Sequence, residues 1–350
     1  MSASPSLHDT LVQLSEGRSL TEGQAEETFR AVLSGRADEA QIGALLGLLA
    51  LKRVTADELV GAARAMRSAV LRVPIPDALR EGLVDTCGTG GAPKTFNIST
   101  AAAIAAAAAG QRLDRPVRVA KHGSKSRTGR GSSEVMRQLG VDIDASPEQQ
   151  ARCLAECGVC FSFAINHHPA MKHAAGPRRS IGFPSIFNLL GPLTNPAGAE
   201  RQLMGVYGED KLELVGQALR RLGARHAWVV HARDGLDEIS TTAPTLVAHV
   251  TPEAVKIVEM NVEKMGLARA SLDDLRETTL EGAAARIRSV LRGEPGPARD
   301  IVAINAAAAV LLAGAAGTLK AALDAVRGAL DSGAGVRTLE EMARLSHEPA

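Results

Sequence analysis

Hydrophobic residues recur at helical spacing near the start of the chain, across positions 11–73. This pattern predicts three helices joined by short loops. Thr21 begins the first helix with a capping-box pattern, and Thr55 begins the third. Between them, residues 41–51 form a strongly apolar second helix. The segment is therefore predicted to be a small all-helical unit that ends near Pro74.

From residue 82 onward, short apolar runs alternate with helical segments. Strands are predicted over residues 83–85, 117–120, 159–165, 203–207, 227–231 and 245–250. Helices are predicted over residues 98–109, 132–139, 212–222, 280–292 and 303–330. Such alternation is typical of a sheet whose strands are largely parallel. The chain is therefore predicted to be an α/β protein, with a small all-helical domain and a larger α/β domain around a central sheet.

The composition agrees with a folded globular protein, since 45% of the 350 residues are hydrophobic and 23% are charged. The net charge is only +1, with acidic and basic residues mixed along the chain. A protein that binds nucleic acid or a membrane surface usually carries a basic stripe. We therefore expect neither nucleic acid nor a membrane among the partners.

Residues 1–17 lack the basic start and apolar core of a secretory signal. The most apolar stretch, residues 100–110, is far shorter than the ~20 residues that span a bilayer. Four cysteines do not indicate a disulfide framework, so we expect a cytoplasmic protein. Cys153, Cys157 and Cys160 have no fourth ligand at metal-site spacing, and we interpret them as buried free thiols rather than a soft-metal cluster.

A predicted strand runs into three glycines at residues 84–91, and Asn97, Ser99 and Thr100 follow at the start of an alanine-rich helix. Glycines allow backbone N–H groups to approach anionic oxygens, and a helix N-terminus adds partial positive charge. The arrangement is suitable for binding a phosphate. Considered alone, it is equally compatible with ordinary helix capping by Asn97 and Ser99.

A second strand ends in another glycine-containing loop, and a helix follows it. Lys121, Lys125, Arg127 and Arg130 make this loop strongly cationic. Cationic loops also occur as solvated surface. Because two phosphate-compatible strand ends lie in one predicted sheet, we favour a flexible phosphate-binding flap.

Five motifs resemble the anthranilate phosphoribosyltransferase family. They are Gly88-Thr89-Gly90-Gly91 with Asn97-Ile98-Ser99-Thr100, Lys121-His122-Gly123, His168-Pro169-Ala170-Met171-Lys172, Phe187-Asn188-Leu189-Leu190-Gly191-Pro192-Leu193-Thr194-Asn195-Pro196, and Asp234-Gly235-Leu236-Asp237-Glu238. The resemblance covers nearly the whole chain. It implies transfer of the phosphoribosyl group of phosphoribosyl pyrophosphate (PRPP) to the amine of anthranilate, a step of tryptophan biosynthesis.

On the donor side, the resemblance implies PRPP binding by Gly88, Gly91, Thr95, Asn97, Ser99, Thr100, Lys121 and Ser132. It also implies a Mg²⁺ cofactor held at Ser99, Asp237 and Glu238. Hard Mg²⁺ prefers carboxylate oxygens and substrate phosphates, which fits the acidic pair. The alternative for this pair is a solvated turn, but its position after a predicted strand favours the functional interpretation.

On the acceptor side, the resemblance implies anthranilate binding by Gly88, His122, Ser124, His168, Arg178 and Pro192. Arg178 would hold the substrate carboxylate with its planar guanidinium. His167 and His173 match no motif, and we interpret them as structural. No covalent nucleophile is expected, because PRPP already carries a good leaving group.

Three positions depart from the family pattern. Ala92 follows the double glycine where the family has an Asp, Ser124 stands where it has an Asn, and Pro184-Ser185 replaces an Arg-Thr pair. The Ser124 change is compatible with another aromatic amine as acceptor or with weaker binding of anthranilate. Retention of Arg178 and His168 argues against a nucleoside acceptor.

An alternative from a different class is a non-catalytic relative that binds nucleic acid or a partner. The near-zero net charge and the intact acidic pair argue against it. The resemblance further implies the architecture of nucleoside phosphorylases and phosphoribosyltransferases. In that architecture, residues 1–75 and a returning segment near 168–190 form the helical domain, residues 80–350 form the α/β domain, and two chains pair through the N-terminal helices.

Overall fold

The N-terminal part of the chain is helical. In the computed structural model, which describes residues 6–126 and 129–349, four helices precede the first strand: α1 Leu7–Ser15, α2 Glu22–Leu33, α3 Glu39–Lys52 and α4 Ala56–Ser68. Thr21 and Thr55 cap α2 and α4, which confirms both predicted starts. The prediction of three helices omits α1, whose only buried residues are Thr10 and Leu14. So few buried positions leave only a weak periodic pattern.

One seven-stranded sheet is present in the described residues, in the order β3-β2-β1-β4-β5-β6-β7. Its strands are β1 Leu83–Gly88, β2 Arg118–Gly123, β3 Val159–Phe163, β4 Arg201–Gly205, β5 His226–Ala232, β6 Thr245–Val250 and β7 Val255–Met260. Strands β1 to β5 pair in parallel, and β6 and β7 continue the sheet antiparallel. The prediction of a largely parallel sheet is confirmed.

Helices cover both faces of the sheet. They are α5 Ile98–Gly110, α6 Ser132–Gln138, α7 Pro147–Glu156, α8 Ala164–His167, α9 Lys172–Ile181, α10 Ile186–Leu190, α11 Leu212–Arg221, α12 Leu272–Leu275, α13 Leu280–Leu291, α14 Pro297–Ala313, α15 Leu319–Asp331 and α16 Ala334–His347. Leu203 and Trp228 belong to one hydrophobic core, whereas their neighbours Met204 and Val229 belong to the other. This division follows from the alternation of side chains along a strand. No helix among the described residues is both long and apolar enough to cross a membrane.

Several predicted boundaries need correction. The predicted strand at 159–165 ends at Phe163, and α8 begins at Ala164. The predicted strand at 203–207 corresponds to β4, which begins and ends two residues earlier, at Arg201 and Gly205. The predicted helix at 303–330 is two helices, because Gly314 ends α14 with a left-handed φ of +82°. Strand β7 escapes prediction because its central residues are exposed on both faces, which removes the apolar–polar alternation.

The segment between β3 and β4 returns to the helical domain. There α9 packs against α2 and α3, and α10 packs against α3 and α4. The parallel strands β1, β2 and β4 end at one edge of the sheet, each in a glycine. A cleft therefore forms between this edge and the returning helices, at the place where open α/β sheets usually bind ligands.

Candidate active site

Two adjoining cavities lie in this cleft. The smaller encloses about 290 Å³ between the loops that follow β1 and β2. The larger encloses about 660 Å³ between these loops and the returning helices. Their linings share Gly88, Thr89, His122, Ser124 and Lys125. Molecules bound in the two cavities would meet at this shared wall.

The glycine loop after β1 presents its backbone to the smaller cavity. Gly90 and Gly91 have φ angles of +66° and +98°, which residues other than glycine rarely adopt. Thr89 fixes the loop to β4, because its N–H donates to the Gly205 carbonyl at 2.9 Å. Its hydroxyl accepts from the Tyr207 N–H at 3.1 Å. These two hydrogen bonds anchor the glycine loop to the end of β4.

The first turn of α5 forms the opposite side of the smaller cavity. The Asn97 side chain does not cap the helix but donates through Nδ2 to the Arg130 carbonyl at 3.3 Å. The simple capping interpretation is therefore wrong for Asn97, which instead connects α5 to the cationic loop. The Ser99 N–H donates to Glu238 Oε1 at 3.1 Å, and Ser99 Oγ accepts from Lys121 Nζ at 3.1 Å.

Lys121 is buried beneath the cavity, with only 2% of its surface exposed. Its ammonium also donates to the Thr86 carbonyl at 2.6 Å. Burial lowers the pKa of Lys121, and the negative charge of Asp85 opposes that shift. Asp85 in turn accepts from the His122 N–H at 3.1 Å. Asp85 escaped prediction, although an acid inside an otherwise apolar strand is an observable signal.

The acidic pair Asp237 and Glu238 lies against the ends of β1 and β4. A Cβ on Gly205 would collide with the Asp237 carbonyl oxygen, and one on Gly88 would lie 2.8 Å from Asp237 Oδ2. Both glycines are therefore required for the acidic loop to approach this closely. Burial raises the pKa of Asp237, and burial together with the Asp237 charge raises the pKa of Glu238 to about 8.

Two histidines form a hydrogen-bonded pair in the larger cavity. His122 Nδ1 lies 3.1 Å from the Gly191 carbonyl oxygen, so Nδ1 carries the proton and donates it. Nε2 of the neutral His122 ring then accepts from His168 Nε2 at 3.2 Å. Burial lowers the pKa of both rings, in His168 to about 4. The pair is therefore neutral near pH 7.

The charge of the larger cavity is positive. Arg178 on α9 stacks over the Phe187 ring, with 5.1 Å between the guanidinium carbon and the ring centroid. Lys125 and Lys172 also line the cavity, and none of its described lining residues is acidic. The side chains of Met66, Ile165, Met171 and Phe187 supply apolar surface. The cavity is thus suited to a small, partly apolar anion.

The structure brings most predicted site residues together. The smaller cavity is lined by Gly88, Gly91, Thr95, Asn97, Ser99, Lys121, Ser132, Asp237 and Glu238. The larger cavity is lined by Gly88, His122, Ser124, His168, Arg178 and Pro192. Thr100 is fully buried outside both linings, and its hydroxyl has no hydrogen-bond partner among the described residues. His167 also lies outside both linings, and its Nδ1 is 2.6 Å from the Leu71 carbonyl oxygen.

The three departures from the family pattern have different positions. Ala92 lines the smaller cavity, and Ser124 lines both. Pro184 lines neither and precedes α10, where the Ser185 N–H donates to Asn188 Oδ1 at 3.1 Å. Ser124 is therefore the departure placed to alter the choice of acceptor.

Sequence reasoning missed several lining residues. Lys94 lines the smaller cavity but was not among the predicted site residues, whereas Arg130, which also lines it, is one of the predicted flap cations. Met66 and Ile165 line the larger cavity but lie far apart in sequence, so no local pattern predicts them. Arg127, a predicted flap cation, lies outside the described residues.

Comparisons with known proteins agree over most of the chain. Residues 8–70 match the family model described as glycosyl transferase family, helical bundle domain, and residues 80–336 match its a/b domain. Anthranilate phosphoribosyltransferases of Thioalkalivibrio sulfidiphilus and Moorella thermoacetica are each 47% identical to this chain. The matches cover 92% and 93% of this chain and 94% of each relative.

Solved structures show the same relationship. The crystal structure of anthranilate phosphoribosyltransferase from Thermus thermophilus has a TM-score of 0.90 at 37% identity, covering 97% of this chain and 100% of that one. The Saccharomyces cerevisiae enzyme in complex with PRPP and Mg has a TM-score of 0.87 at 23% identity, covering 97% of both chains, and shares the fold. Family models, relatives and fold thus agree: the chain belongs to the anthranilate phosphoribosyltransferase family.

Proposed function

We propose that the protein transfers the phosphoribosyl group of PRPP to the amine of anthranilate and releases pyrophosphate. The observation that carries the proposal is the pair of cavities with a shared wall. The smaller cavity supplies phosphate-binding groups and an acidic pair, whereas the larger is cationic and partly apolar. The family relationship supports the same reaction, since relatives at 47% identity carry this name.

PRPP would occupy the smaller cavity. Its pyrophosphate would lie along the glycine loop and the first turn of α5, where backbone N–H groups and Ser99 donate hydrogen bonds. Lys121, Lys94 and Arg130 add positive charge around the same space. These donors would stabilise charge on the departing pyrophosphate.

Asp237 and Glu238 fit a Mg²⁺ ion. Burial raises the pKa of both residues, and the Asp237 charge raises that of Glu238 further, so a cation would stabilise the ionised pair. Among the described residues, no three acidic, His or Cys side chains cluster into a metal cage. Mg²⁺ commonly takes one or two carboxylates and completes its shell with water and substrate phosphates. Bound there, it would neutralise charge on the pyrophosphate.

Anthranilate would occupy the larger cavity. Arg178 would pair with its carboxylate, and the apolar residues would contact its ring. The neutral His122–His168 pair provides a polar, uncharged surface in the larger cavity, and His122 also belongs to the shared wall. There the acceptor amine would face the anomeric carbon of PRPP, so the protein's main contribution on this side is positioning.

The first test is the loss of anthranilate fluorescence after purified protein, PRPP and Mg²⁺ are mixed. We expect turnover with the wild type and none with Asp237→Ala/Glu238→Ala. PRPP binding without turnover of anthranilate would contradict the proposed acceptor. Because Ser124 replaces the family amide at the shared wall, a screen of other aromatic amines would then follow.

We also propose a homodimer that forms through the N-terminal helices. Leu51 on α3 is 85% exposed and Val12 on α1 is 42% exposed, so both helices carry apolar side chains that a second chain could cover. A cytoplasmic location is proposed as well. It is supported by the four cysteines, which are all buried free thiols, as expected in a reducing compartment.

A further inference from the structure

A third cavity lies behind the wall of the larger one, and Pro192 lines both. It encloses about 280 Å³ between α4, the connector from α4 to β1, and the start of β4. Arg67, Arg72 and Arg80 all line it, together with a single acidic residue, Glu200. Three arginines, of which Arg72 and Arg80 are partly open to solvent, thus line one cavity at the junction of the two domains.

Arg67 is held in place by backbone carbonyls. Its Nε donates to the Leu193 carbonyl at 2.8 Å, and its Nη1 donates to the Leu222 carbonyl at 2.9 Å. Neither partner carries a formal charge, so the positive charge of Arg67 is not neutralised there. Burial and the nearby charge of Arg72 lower the pKa of Arg67 to about 10, which still leaves it protonated near pH 7.

Arg72 and Arg80 converge on the same point of the cavity. The Nη1 atom of each lies 3.9 Å from the position that a Cβ on Gly198 would occupy. Arg80 is 3.3 Å from Asp77, an exposed acid, and Glu200 is 3.8 Å from Arg225. Among the described residues, neither Arg67 nor Arg72 has a carboxylate within ion-pair distance.

We infer that this cavity binds a small oxyanion with two negative charges, either inorganic phosphate or the phosphate group of a metabolite. Guanidinium groups donate paired N–H bonds that match the oxygens of a phosphate. Such a ligand would neutralise the unpaired arginines and connect α4 to the start of β1. The site is separate from the proposed PRPP cavity, since the two share no lining residue.

Isothermal titration calorimetry of the full-length protein tests this site. Sodium phosphate and glycerol 3-phosphate are titrated at constant ionic strength into the wild type, Arg72→Ala/Arg80→Ala and the control Arg292→Ala/Arg344→Ala. The control removes two exposed arginines that do not line the cavity. Binding at the active site is common to all three proteins, so the difference between them reports on the third cavity.

We expect at least a tenfold weakening of one binding event in Arg72→Ala/Arg80→Ala and no change in the control. Tighter binding of glycerol 3-phosphate would identify a metabolite as the ligand, and equal binding would identify inorganic phosphate. Equal affinities in the wild type and Arg72→Ala/Arg80→Ala, or no binding to the wild type, would overturn the inference. Should the double variant unfold, Arg72→Gln alone is expected to weaken the same event.

Discussion

Arg178 and Arg179 are neighbours on α9 with different surroundings. Arg178 lines the larger cavity, whereas Arg179 is exposed and lines neither site cavity. A charge-assisted hydrogen bond contributes about 1.5–3 kcal/mol. We therefore expect Arg178→Ala to raise KM for anthranilate roughly ten- to hundredfold, while KM for PRPP changes little. Steady-state kinetics with Arg179→Ala as the control measures both, and equal effects of the two variants would contradict the assignment.

His168 should make the protein less stable in acid. Its folded-state pKa of about 4 lies below its ordinary value of 6.5, so the unfolded chain takes up the proton first as the pH falls. The stability that the neutral ring contributes is present above pH 6.5 and is lost as the pH falls toward 4. The expected loss between pH 7.5 and 4.5 is roughly 2.5 kcal/mol.

Urea unfolding at several pH values measures this effect. His168→Asn should lose less stability on acidification than the wild type, whatever its stability at neutral pH. His8→Asn changes an exposed histidine and serves as the control. Parallel pH profiles for the wild type and His168→Asn would show that other groups cause the acid sensitivity.

Two helical glycines allow the packing between elements to be tested. A Cβ on Gly61 of α4 would lie 2.7 Å from the Glu26 nitrogen and would overlap the Glu22 carbonyl oxygen of α2. A Cβ on Gly328 of α15 would have no atom within 4 Å. We expect Gly61→Ala to destabilise the protein by about 1–3 kcal/mol, because α2 and α4 must separate.

Gly328→Ala should instead stabilise the protein by about 0.5–1 kcal/mol, because alanine restricts the unfolded chain and favours a helix. Chemical denaturation of both variants measures whether each substitution raises or lowers the free energy of unfolding. If both substitutions destabilised the protein, the loss of stability would come from replacing a helical glycine in general and not from the α2–α4 contact.

The proposed dimer would bring the exposed Leu51 of α3 against a second chain. If α3 lies in the interface, Leu51→Glu would place a charge against apolar surface and remove a burial contribution of about 1.5–3 kcal/mol. Light scattering should then give the chain mass of 36.5 kDa for the variant and twice that mass for the wild type. Ile257→Glu alters an exposed residue of β7 and should leave the dimer intact. A monomeric wild type would contradict the proposal.

Local patterns predicted most of the elements and much of the candidate site. Capping residues such as Thr21 and buried runs such as β1 carry their information within a few positions, so their predictions hold. Strand β7 was not predicted, because its exposed residues lack the apolar–polar periodicity of a half-buried strand. The helix break at Gly314 was not predicted either, because helix-favouring residues flank it on both sides. Thr100 was predicted in the site from its motif, but helical geometry turns its side chain into the core.

Local patterns in the sequence were sufficient to predict the fold class, and the resemblance of five motifs supplied the family and the motif residues that line the two cavities. It could do so because glycines, caps and short polar motifs act on their immediate neighbours. The tertiary structure was needed to show that distant residues line one cavity, as Met66 and Arg178 line the larger cavity and Arg67 and Arg80 line the third. Such contacts depend on how helices pack across the sheet. That packing sets the hydrogen-bond partners, burial and pKa values of the site, and no local pattern encodes it.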